Sequence, residues 1–117
     1  MKVRRRIEIE DVGLDLSKLR IDDLLKIAEV AESEIRRALD EVLGPRMIKY
    51  LLTVDVYIDD KLNLFVDLIV DSLIPPYISL ESVIERALKR GVDKAAAFVR
   101  ELARKMRETT SGTEGGA

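Results

Sequence analysis

The chain has no cysteine, no histidine and no tryptophan. Without cysteine there are no disulfides, thiolate metal sites or cysteine nucleophiles. Without histidine the commonest general base and the commonest neutral metal ligand are missing. Glycine is sparse before the tail: Gly13, Gly44 and Gly91 stand isolated. They form no phosphate-cradling loop, which argues against a nucleotide-hydrolysing enzyme of the P-loop kind. No run approaches the roughly 20 apolar residues of a membrane span. The basic start, Met1 to Arg6, is followed by no apolar signal core, so a cytoplasmic protein is expected. No cofactor and no resident metal are expected.

What remains is a chain of 117 residues, sized for one domain. A chain of this length buries roughly two thirds of its unfolded surface, enough for one unstapled core. Charged residues make up 36% of it, glutamine is absent and Asn63 is the single asparagine. That balance follows the thermophilic trend toward ion-pairing side chains and away from thermolabile ones. The charge is unevenly placed. Residues 1–6 carry net +4, residues 7–85 net −10 and residues 86–107 net +6. Two basic segments therefore flank an acidic body, and a charged partner fits either pole.

Periodicity supplies the elements. At about 100° per residue, the apolar side chains from Ile21 to Leu43 gather on one side of a helix spanning about 160°. The stripe includes Ile21, Leu25, Ile35 and Val42, while Glu29, Glu32, Arg36, Arg37 and Asp40 face away. Ser17 or Asp22 suits the start as a cap, and Gly44-Pro45 ends the helix. Residues 48–58 and 62–70 then alternate with period two, apolar on even numbers. Pairing 58 with 62 leaves a three-residue loop. It sets Leu51 against Ile69, Thr53 against Asp67 and Lys49 against Asp71. A slip by two would oppose Asp55 and Asp67, a destabilising like-charge pair. Residues 1–12 alternate weakly, with Arg5 interrupting Val3, Ile7 and Ile9, and are open as an additional strand.

Ser79 reads as the cap of a last helix, with Ile78 and Val83 as its hydrophobic staple. The apolar stripe of this helix survives Gly91, so one long helix is expected, kinked at Gly91 or broken there into two. Residues 109–117 lack any apolar pattern and are expected to be a disordered tail. The fold class is therefore α+β. It is a two-layer helix–strand–strand–helix domain over 1–108, with a long antiparallel hairpin packed on two amphipathic helices.

An acidic amphipathic helix over Leu24–Leu43, a hairpin running from Leu52 through Asp60 to Val70, and an Ala-rich helix over Leu80–Leu102 occur in that order. In this order the chain resembles a small archaeal family, domain of unknown function 3194, over roughly residues 17–105. The family has no assigned activity, so the resemblance transfers no functional residue. Its members are often encoded near translation and chaperone genes, which implies an information-processing setting.

Candidate sites follow from what the elements place together. Asp59-Asp60 offers oxygen ligands, yet lacks the regular ligand spacing and glycine of a calcium loop. Asp is also what a turn prefers. Asp55, Asp67 and Asp71 share the odd face of the hairpin, where salt bridges account for them without catalysis. The last helix carries a basic arc of Arg86, Lys89, Arg90, Lys94, Arg100 and Arg104, a footprint for RNA or DNA with Arg4-Arg5-Arg6 as an accessory arm. Asp93 and Glu101 interrupt the arc, and exposed aromatics for stacking are scarce. The odd sheet face is half apolar, through Leu51, Tyr57, Phe65 and Ile69, and marks a partner or dimer surface. The expected function is a non-catalytic interaction module that self-associates, as a homodimer through this face or a sheet edge, and binds another protein. The alternative is an RNA- or DNA-associated accessory protein using the basic helix face.

Overall fold

A computed structural model describes residues 1–10, 13–44, 49–70 and 79–116, with side chains through 108. The elements run β1 (Lys2–Ile9), α1 (Ile21–Leu43), β2 (Tyr50–Ile58), β3 (Leu62–Val70) and α2 (Leu80–Gly116). The strands form one sheet in the order β1-β3-β2. Both outer strands run antiparallel to β3, so β1 and β2 are parallel to each other with β3 inserted between them. This is a split β-α-β unit closed by a second helix. The open question at the N-terminus is thus answered by a third strand.

Every even position of β3 points under the helices. Leu62, Leu64, Val66 and Leu68 have no exposure and Val70 has 3%. Each such side chain contributes roughly 1.5–3 kcal/mol by leaving water. Around them gather Ile27, Ile35 and Leu39 of α1, and Ile84, Leu88 and Val99 of α2. Val54 and Phe98 are half-buried against the same cluster. The helices therefore close over one side of the sheet, as the two apolar stripes require.

The β2–β3 register is the expected one, with Ile58 opposite Leu62, Thr53 opposite Asp67 and Leu51 opposite Ile69. The Lys49–Asp71 pairing and the Ile78 staple fall outside the described residues. The turn is held by its own side chains. Asp59 accepts hydrogen bonds from the Lys61 N–H (3.0 Å) and the Asn63 amide (2.8 Å). Asn63 also donates to the Lys61 carbonyl, and its residual exposure is 1%. The single asparagine thus locks the hairpin end.

β1 explains its own interruption. Val3 and Ile9 are buried on the helix side, opposite Leu68 and Leu62. Arg5 shares that side but extends out of the core, and its guanidinium reaches Glu85 of α2 at 2.8 Å. A long side chain can lie along apolar surface while its charge stays solvated.

Helix starts and stops partly differ from expectation. α1 begins after Arg20, whose N–H donates to the Asp23 carboxylate at 2.9 Å. Neither Ser17 nor Asp22 is the cap; Ser17 sits in a short 3₁₀ turn ahead of the helix. Gly44 ends α1 with φ of +72°, a conformation that favours glycine. Ser79 accepts from the Ser82 N–H at α2, as its cap role requires. The backbone of α2 continues to Gly116, through residues expected to lack structure. Propagating an existing helix adds one hydrogen bond per residue without a new nucleus.

Gly91 does not break α2; the helix runs through it. It is where α2 crosses α1. A Cβ there would lie 2.5 Å from Ile35 Cγ1, 2.9 Å from Ile35 Cδ1 and 3.1 Å from the Ala31 carbonyl. Ala31, Ala87 and Ala95, fully buried, supply the same closeness along the crossing. Ile35 has no exposure and little room to retreat.

Two predictions follow from these contacts. Gly91→Ala gains helix propensity of about 1 kcal/mol but overpacks the crossing by about 1–3 kcal/mol. The expected net result is a lower thermal midpoint by circular dichroism; an unchanged or raised midpoint contradicts the close approach. The second concerns Asp59, whose carboxyl is held below its ordinary range by the Lys61 N–H and the Asn63 amide. A depressed carboxylate stabilises the fold above its unfolded pKa and loses that effect as pH falls through the folded one. Asp59→Ala is therefore expected to be less stable than the parent at neutral pH, with the gap closing below about pH 4. A gap that stays constant into acid would show that the turn does not use the charge.

Candidate interaction surface

The sheet has two unlike faces. Even residues of β2 and β3 and odd residues of β1 lie under the helices. The opposite face is built from four cross-strand rows: Lys2–Ile69–Leu51, Arg4–Asp67–Thr53, Arg6–Phe65–Asp55 and Glu8–Asn63–Tyr57. No described helix covers it. Its charge runs sideways, cationic along β1 and apolar or acidic along β2.

The four residues expected to form a partner face all lie here but differ in exposure. Leu51 is 70% exposed, Ile69 39% and Tyr57 37%. Phe65 is half-buried, at the middle of the central strand between Arg6 and Asp55. Leu51 and Ile69 are direct neighbours at one end, and Tyr57 lies at the other. The structure thus makes one apolar pair and one aromatic outlier from what the sequence reads as a single patch.

The carboxylates on and beside this face differ in their partners. Asp67 lies between Thr53 and Arg4, with its Oδ1 3.6 Å from Arg4 Nε. Asp55 faces Phe65 instead. Asp71 falls outside the described residues. The Asp59 carboxylate is engaged by the turn.

The basic arc of α2 is divided by ion pairs. Arg90 bridges the helices, donating to Glu34 at 2.8 and 3.1 Å and to Glu41 at 2.8 Å. Its carboxylate partners keep the guanidinium charged, with Glu41 first, and Arg90 in turn holds Glu41 below its ordinary range. Arg104 is paired with Glu101 and Glu108 on its own helix. Arg86, Lys89, Lys94 and Arg100 stay exposed. The N-terminal arginines are likewise spoken for in part, Arg4 by Asp67 and Arg5 by Glu85.

Three apolar residues were assigned to the core stripe of α1 but lie at the surface: Ile21 is 76% exposed, Leu25 55% and Val42, at the helix end, 51%. Helical spacing puts Ile21 and Leu25 on the flank shared by Glu32 and Arg36. Arg36 stacks its guanidinium 5.4 Å from the ring centre of Tyr50, which places that flank beside β2. The other flank, with Glu34 and Glu41, faces α2. Leu39 and Leu43, five whole turns further along at the same helical angles, are buried, so it is the first turns of α1 and not one margin of its stripe that are left in solvent.

Among the described residues, no helix is long and apolar enough to cross a membrane. No family model and no curated protein matches the chain. The fold does match a crystal structure from Thermococcus onnurineus NA1, with a TM-score of 0.65 and 19% identity. The match covers 90% of this chain and 98% of that one, so the chain shares its α+β architecture with an archaeal protein over nearly the full length of both.

Proposed function

We propose that this chain is a non-catalytic interaction module that binds protein through its uncovered sheet face and the neighbouring β2 edge. The observation that carries this reading is the exposure of Leu51 and Ile69 side by side on a sheet face with no described helix over it. Contiguous apolar surface of this kind marks contact sites more than solitary exposed residues do. Of the carboxylates weighed for metal or acid–base chemistry, Asp59 is engaged by its turn and Asp67 is paired with Arg4.

In the same reading the chain is a cytoplasmic protein of a thermophilic archaeon and a member of the family called domain of unknown function 3194. Its composition and the fold it shares with the Thermococcus chain support this placement. A nucleic-acid role is the second reading. It rests on Arg86, Lys89, Lys94 and Arg100, and it is weakened because Arg90 and Arg104 already neutralise acids of their own chain.

A pull-down from native lysate separates the two. Captured proteins are expected to survive nuclease treatment and to be lost with Leu51→Asp, a change at an exposed site that leaves the folding free energy of the chain within roughly 0.5 kcal/mol. Capture that disappears with nuclease, or with Arg86→Ala/Lys89→Ala while Leu51→Asp has no effect, would favour nucleic acid instead.

A further inference from the structure

The two edges of the sheet are not equivalent. β1 carries Lys2, Arg4, Arg5 and Arg6, so two copies of this edge would bring arginines together. Such charge is how natural sheets block edge pairing. β2 (Tyr-Leu-Leu-Thr-Val-Asp-Val-Tyr-Ile) carries one charge in nine residues and pairs only with β3 among the described residues.

β2 is also complementary to itself. Set two copies antiparallel with Val54 facing Val54. Tyr50 then meets Ile58, Leu51 meets Tyr57, Leu52 meets Val56, and Thr53 meets Asp55, each pair occurring twice. All nine residues pair, every residue keeps its own face, and both helix layers stay on one side. Shifting one way opposes Asp55 to its own copy, a like-charge pair; shifting the other way sets Asp55 against Leu51 and shortens the ladder. Val54, Val56 and Ile58 pack against the core but stay half-buried, so the helix side of this edge is covered only in part. Ile21 and Leu25, exposed on the flank of α1 beside β2, extend the apolar margin onto the helix layer.

We infer that the occupant of this edge is a second copy of the chain, paired β2 to β2 around Val54 into a continuous six-stranded sheet with a two-fold axis. The inference rests on the interaction-module reading and names its partner. In the dimer Leu51 and Tyr57, at opposite ends of the open face in one chain, become cross-strand neighbours between chains. Their Cβ atoms would then lie about 5 Å apart. The remainder of the open face stays available to other protein.

The native absence of cysteine makes this register directly testable. Leu51→Cys and Tyr57→Cys proteins are prepared separately, mixed under reducing conditions and then oxidised. The mixture is expected to give a disulfide-linked dimer, and each variant alone to give none, since like positions would be about 20 Å apart along the strands. Sedimentation of the parent is expected to show a dimer, with Leu51→Asp raising its dissociation constant about tenfold or more. Thr53→Lys, placed against Asp55 of the other copy, is expected to tighten it. Circular dichroism establishes that each variant is folded. A strict monomer across concentrations overturns the inference, as does cross-linking of either variant alone equal to the mixture. If the monomer result coincides with Leu51-dependent protein capture from lysate, only the second-copy inference falls. If that capture is also absent, the module reading falls with it.

Discussion

Everything in this fold hangs on burying the even side of β3. Among the described strands it alone has a neighbour on both sides, and its inward side chains are shut off from water. A two-stranded ribbon is marginal in water; β1 completes the sheet and gives α2 a strand to lie over, while α1 lies over β2. The chain therefore spends its first and last elements on the same task. β1 and α2 are distant in sequence but become joined through Arg5 and Glu85.

The second constraint is the closeness of the helices. Two helices must fit over three strands, and small residues at the crossing let them do so. Once the backbones are this near, the flanks also meet, and Arg90 comes within reach of Glu34 and Glu41. This accounts for much of the charge pattern. A basic α2 beside an acidic α1 looks like a polar molecule in search of a partner, but part of that charge is satisfied internally. Exposed pairs of this type add little each, typically below about 1 kcal/mol, yet they remove cations from any external role. What remains outward on α2 is a shorter and more scattered set.

The surface left over is asymmetric for a simple reason. Helices occupy one side of the sheet, so the other keeps whatever the strands carry there. Along β1 that is lysine and arginine; along β2 it is leucine, threonine, aspartate and tyrosine. One edge is guarded by charge and the other is nearly neutral. The proposed interaction role draws on that contrast more than on any single residue, and it uses chemistry that needs neither histidine nor cysteine.

Local pattern by itself determined a good deal of this protein. Period-two alternation marked β2 and β3, and charge avoidance between Asp55 and Asp67 set their register, because in a hairpin facing residues are fixed by the turn. The two helix stripes, the stop at Gly44 and the start at Ser79 were legible for the same reason: each depends on neighbours a few residues away. Tertiary structure alone decided the rest. The weak alternation of residues 1–9 became a strand because β3 had an unpaired edge and Glu85 stood where Arg5 needed it. Gly91 became a crossing point because Ile35, far away in sequence, fills the space a side chain would take. Ile21 and Leu25 fell outside the core because of where along α1 they stand: Leu39 and Leu43, at the same helical angles five turns on, are buried. Likewise Leu51 and Ile69 emerged as the exposed pair while Phe65 sank between its neighbours, a distinction made by the strands on either side and by no spacing within one.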